Sequence, residues 1–177
     1  MAAELYRENR LVGLEPKTGS GGATNDLLAS IDGRSCQIEV KEFTSRNPGR
    51  QLMKQITDKA KKVPAKPAVP IIFHAVLREN ADFETEKDDQ FFDAIDELAT
   101  KLPPQISAVV GGRRFVDSLG GRVKRETVKV VTNPDALTPS RLTDLEMLFP
   151  TNFERIEYPV YGIGNFFLFY NKPKEPN

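Results

Sequence analysis

Asn25-Asp-Leu-Leu-Ala-Ser-Ile-Asp-Gly-Arg-Ser-Cys-Gln-Ile-Glu-Val-Lys41 is the stretch whose reading decides the fold. Asp32-Gly33 is a strong two-residue hairpin signal, because a type I′ turn needs φ > 0 at both central positions. With that turn, Ile31 faces Arg34, and counting back along both strands puts Asp26 opposite Glu39. Opposed side chains share a face, with Cβ atoms about 4.5–5.5 Å apart. Lys41 points to that face as well, since strand side chains alternate with period two. Cys36, Ile38 and Val40 take the other face and are expected in the core.

Two carboxylates opposed in a sheet repel each other. A divalent cation between them reverses that sign, and an oxygen-rich pair suits Mg²⁺ or Mn²⁺ better than zinc. Such a cation polarises a phosphoryl oxygen and acidifies a bound water. A compact lysine ammonium beside it, as Lys41 would be, orients that water or stabilises the pentavalent phosphate. The residues therefore point to phosphodiester hydrolysis.

In Asp26 and Glu39-Val40-Lys41 the segment resembles the PD-(D/E)XK nuclease superfamily, most closely its Holliday-junction-resolvase-like and restriction-type branches. The likeness covers roughly residues 2–77, and Asn25 stands where the family has proline. It implies a restriction-endonuclease-like core, an α-β-β-β-α-β mixed sheet flanked by helices, within an α/β (α+β) fold. It also implies that a glutamate from the first helix completes the metal site. Glu8 is the best candidate, with Glu4 and Glu15 behind it. A polar residue from the helix after the third strand, here Gln55, is expected to approach the same site. The family further implies a Mg²⁺ (or Mn²⁺) cofactor, a nucleic-acid substrate with DNA preferred over RNA, and a homodimer.

At 177 residues the chain suits a single domain, with residues 1–77 as the core and 78–177 as an α/β extension packed on it. Its 25 basic and 25 acidic residues cancel, so overall charge does not advertise nucleic acid. Their distribution does. Residues 46–66 carry Arg46, Arg50, Lys54, Lys59, Lys61, Lys62 and Lys66 against Asp58 alone, and residues 79–97 are strongly acidic. A second basic stretch holds Arg113, Arg114, Arg122, Lys124, Arg125 and Lys129. Arg50, Lys54, Lys59 and Lys62 are the expected phosphate contacts on the helix, with Ser20 in the small-residue loop Gly19–Gly22. One cysteine excludes an internal disulfide. With no signal segment and no apolar run near 20 residues, a cytoplasmic chain away from the membrane is expected.

Along the rest of the chain, Ala2–Arg10 reads as a short helix and Leu11–Pro16 as a first strand. Asn47-Pro48-Gly49 reads as a turn, followed by a helix over Gln51–Lys62 with Leu52 and Ile56 inward. The continuous apolar run Val69–Leu77 suits a buried strand. Asp88–Lys101 has helical spacing, and Ile106–Val110 and Thr127–Val131 read as short strands with Gly111-Gly112 and Gly120-Gly121 between them. Thr138-Pro139 is expected to start a helix, and residues 158–170 to form one or two strands. His74 and Cys36 read as core residues, and so does the aromatic run from Tyr158 to Tyr170. The function expected is a Mg²⁺-dependent DNA endonuclease. The alternatives are a tRNA- or DNA-cleaving interbacterial toxin domain of the same fold and a non-catalytic nucleic-acid-binding module.

Overall fold

The computed structural model describes residues 5, 8–16, 24–44, 48–78, 85–98, 100–117, 122–149, 153–158 and 168–173. These form one mixed sheet with strands in chain order: β1 (Leu11–Leu14), β2 (Leu27–Ile31), β3 (Arg34–Thr44), β4 (Ile71–Arg78), β5 (Ala108–Asp117), β6 (Arg122–Thr132), β7 (Phe153–Tyr158) and β8 (Leu168–Pro173). Strands β3, β4 and β5 run parallel, and every other neighbouring pair is antiparallel. The parallel pairs need crossovers, which α1 (Pro48–Ala60) and α2 (Thr85–Leu98) supply. A third helix, α3, spans Leu142–Leu148.

The hairpin turn forms as Asp32-Gly33 predicts, with φ of 47° and 78°. β2 and β3 pair with Leu27 opposite Ile38 and Ile31 opposite Arg34. Ala29, Ile31, Cys36 and Ile38 then enter one apolar layer with Ile72, Val110, Leu145 and Leu148. The opposite layer joins Phe43, Phe73 and Leu77 to Leu52 and Ile56 of α1 and to Phe91 and Ile95 of α2. Strand β4 sits between the layers and is buried on both faces, as its continuous apolar run requires. Each fully buried Leu, Ile, Val or Phe side chain among these contributes about 1.5–3 kcal/mol relative to exposure. His74 is buried in the α3 layer, edge-on to Phe149 at 5.0 Å, in keeping with a core histidine.

Several boundaries differ from the sequence reading. Pro48 opens α1 instead of ending a turn before it, since proline is well tolerated at a first helical position where its missing N–H costs nothing. Gly111 and Gly112 lie inside β5 rather than beyond it. A Cβ at Gly111 would collide with Ile95 of α2, so the glycine lets the helix sit close on the strand. Pro139 does not start a helix: Thr138 is tied to the segment between α1 and β4, its hydroxyl donating to the Pro67 carbonyl at 2.8 Å while its own carbonyl accepts from Ser107. α3 begins only at Leu142. The expected first helix does not reach Arg10, since residues 8–9 form a turn and Arg10 is outside any helix; apart from Leu5, its remainder lies outside the described residues, as do residues 159–167 and the loop holding Ser20. The second half of the chain continues the same sheet through β5 to β8.

Candidate active site

Asp26 follows directly from the hairpin register. It lies one residue before β2, where its N–H still donates to the Ile38 carbonyl at 3.1 Å. Its carboxylate Oδ2 accepts the Val40 N–H at 2.6 Å, which fixes it at the point where the two strands diverge. Val40 is the residue between Glu39 and Lys41, so a single hydrogen bond joins Asp26 to the backbone of that tripeptide. Neighbouring Asn25 is fully buried, and its Nδ2 donates to Gln37 Oε1 at 2.6 Å.

Glu39 is buried and stands on the α1 face of β3. Its two oxygens meet two different ammonium groups: Lys41 Nζ lies 2.8 Å from Oε1, and Lys59 Nζ lies 2.6 Å from Oε2. Lys59 also donates to the Thr24 carbonyl at 2.6 Å, tying α1 to the segment that leads into Asp26. Its side chain is only 7% exposed, whereas that of Lys41 is 40% exposed. One cation is therefore internal and the other faces solvent. Two carboxylates and two ammonium groups sum to zero, so the repulsion expected between Asp26 and Glu39 is offset by side chains of the protein itself.

This arrangement places Lys59 differently from the sequence reading, which grouped it with outward phosphate contacts. Position 59 falls on the apolar stripe Leu52, Ile56, Val63 at helical spacing, and a lysine on a buried stripe is the signal that was available. Gln55 is half-buried one turn earlier on the same side of α1. Arg50 and Lys54 are exposed on the opposite side from Leu52, and Lys62 is exposed beyond the helix end. Glu8 is not brought to the site. It pairs with Arg10 at 2.9 Å, and Arg10 in turn donates to the Met147 carbonyl of α3. The Arg10 carbonyl accepts from Ser30, four residues along β2 from Asp26, or about 13 Å at strand rise. Glu15, by contrast, donates its backbone N–H to the Asp26 carbonyl at 3.0 Å.

The donor set suits a hard divalent cation. Asp26 and Glu39 offer carboxylate oxygens, and Mg²⁺ is commonly held by one or two carboxylates plus water and substrate oxygens. Among the described residues no group of three Asp, Glu, His or Cys side chains converges. Cys36 lies on the other face, where burial pushes its thiol up to about 12, out of reach of nucleophilic work near neutrality. A cavity of about 290 Å³ beside it, walled by Ile31, Ile72, Leu145 and Leu148, lies at the turn end of the hairpin, away from the carboxylates.

No family model matches the chain, and no curated protein matches it. Among solved structures, the central domain of yeast acetyl-CoA carboxylase aligns with 98% of this chain at 11% identity and a TM-score of 0.37. The chain spans 26% of that structure's length.

Proposed function

We propose that the protein is a Mg²⁺- or Mn²⁺-dependent nuclease hydrolysing phosphodiester bonds, with DNA preferred over RNA, on a restriction-endonuclease-like core. The observation that carries this reading is the linked set Asp26, Glu39 and Lys41. Hairpin register, the Val40 hydrogen bond and the Glu39–Lys41 ion pair link the three. The element order supports it: antiparallel β1-β2-β3, crossover helix α1, then β4 parallel to β3. That order follows the β-β-β-α-β part of the core implied by the sequence motif.

Asp26 and Glu39 would hold the metal. When bound, Mg²⁺ supplies a Lewis acid for a phosphoryl oxygen and lowers the pKa of a water. The chain's own residues do the rest. Glu39 Oε1 orients the Lys41 ammonium at the solvent side, where it can align the attacking water and offset charge developing on the phosphate. Lys59 holds the other Glu39 oxygen and keeps the carboxylate in one rotamer. Exposed Arg50, Lys54 and Lys62 supply positive charge for the nucleic-acid backbone.

The test is cleavage with Mg²⁺ or Mn²⁺ of linear duplex, single-stranded and four-way-junction DNA and of tRNA, beside Lys41→Ala. Cutting by the wild type that the variant loses supports the proposal. Absence of cutting on every substrate, or equal cutting by Lys41→Ala, refutes it.

A further inference from the structure

We infer that a row of arginines across four adjacent strands is a track for the phosphate backbone of duplex DNA. The register pairs Arg78 of β4 with Arg114 of β5, Arg114 with Arg125 of β6, and Arg125 with Arg155 of β7. Thr44 and Asn171 continue the row at its two ends. Opposed positions share a face, and strands lie about 4.8 Å apart, so the four arginine positions span about 14 Å.

Like charges directly opposed destabilise a sheet, and this row stacks three such pairs with no acid in it. The row one residue along, on the opposite face of the sheet, is built differently. Arg113 stands opposite Glu126, Glu126 opposite Glu154, and Glu154 opposite Lys172, so each end of that row is compensated. A single-sign row on one face, backed by a mixed row on the other, points to an anionic partner for the first. Among the described residues Glu42 meets the row, its Oε1 lying 3.5 Å from Arg114 Nη1. Arg114 Nε is buried without a hydrogen-bond partner, and Arg78 is exposed.

The chemistry and spacing select phosphate. Guanidinium groups present a planar fork that matches phosphate oxygens. One strand of a duplex offers a phosphate about every 3.4 Å of helix axis, so a row of about 14 Å is long enough to meet more than one of them. The row lies three residues beyond Ala75, the β4 partner of Lys41, toward the C-terminal ends of the parallel strands; the odd offset puts it on the opposite face of the sheet from Lys41 and Glu39, the face of Glu42 and His74. It rests on the nuclease reading for the choice of nucleic acid as the polyanion; the row itself stands on register and charge.

Fluorescence anisotropy with a labelled duplex of about two helical turns, in EDTA, tests binding apart from cleavage. The comparison uses the full chain, the pairs Arg78→Gln/Arg114→Gln and Arg125→Gln/Arg155→Gln, and a charge-matched control, Lys101→Gln/Arg141→Gln. Each row pair is expected to weaken binding at least about tenfold near 0.1 M salt and to lower the slope of log K against log salt by about 2. The control should stay within about twofold of wild type, and the row variants should melt no lower than wild type, since they relieve repulsion. Row variants with wild-type affinity and slope, an equal loss in the control, or no binding by the wild type would overturn the inference. Row-dependent binding without cleavage would remove the nuclease reading and keep the track; cleavage with row-independent binding would do the reverse.

Discussion

Lys59 Nζ and Glu39 Oε2 lie 2.6 Å apart with both side chains 7% exposed, so the helix after the third strand places a buried cation inside the carboxylate site. Breaking a buried pair by removing one partner leaves an uncompensated charge. Lys59→Met is therefore expected to cost about 3 kcal/mol, at the low end of such losses because Lys41 still meets the other Glu39 oxygen. The double variant Lys59→Met/Glu39→Gln should recover most of it. Urea unfolding of both at neutral pH measures the coupling, and additive losses would show that the two groups do not interact.

A metal site formed only in the folded chain must raise the melting temperature. With Mn²⁺ a hundredfold above its Kd, the gain is about 2.7 kcal/mol, or roughly 5–10 °C for a chain of this size. EDTA should reverse the shift, and Glu39→Gln should abolish it. A flat melting curve at millimolar Mn²⁺ would count against the carboxylate pair as a metal site.

Lys41 separates chemistry from stability. Its side chain is 40% exposed, so the ion pair with Glu39 contributes at most about 1 kcal/mol to folding. Lys41→Ala should therefore melt within a few degrees of wild type while its cleavage rate falls about 10²–10³-fold. Equal losses in both would mean that Lys41 only props up the fold.

Arg34 and Asp144 clasp the hairpin turn to α3 through two hydrogen bonds, of 3.0 and 2.7 Å. The Arg34 hydrogen bond holds the Asp144 carboxyl below its usual range, against a smaller opposing effect of burial. Because the folded-state value is depressed, the stabilisation is complete above the unfolded carboxylate value of about 3.9. It is lost as pH falls through the lower folded value. The melting difference between wild type and Asp144→Asn should be small and constant near neutrality and vanish in strong acid. A difference that persists there would assign the effect to something other than this carboxylate.

The hairpin was legible in the sequence because its determinants are local. Asp32-Gly33 selects the turn, the turn selects the register, and register alone aligns Asp26 with Glu39 and turns Cys36 and Ile38 into the core. The apolar run of β4 was legible for a similar reason, since burial on both faces leaves no alternation to decode. Gly111-Gly112 misled because a glycine pair marks a loop and a close helix contact equally well, and only Ile95 on the neighbouring helix distinguishes them.

By itself, the sequence determined the residue types of the site and the pairing of β2 with β3. The tertiary structure decided which lysine enters the site, that Glu8 stays at the far end of β2, and that four arginines from separate parts of the chain fall into one row. Each of those depends on how a crossover helix or a distant strand docks. Docking is set by the burial of whole apolar layers, which no local spacing encodes.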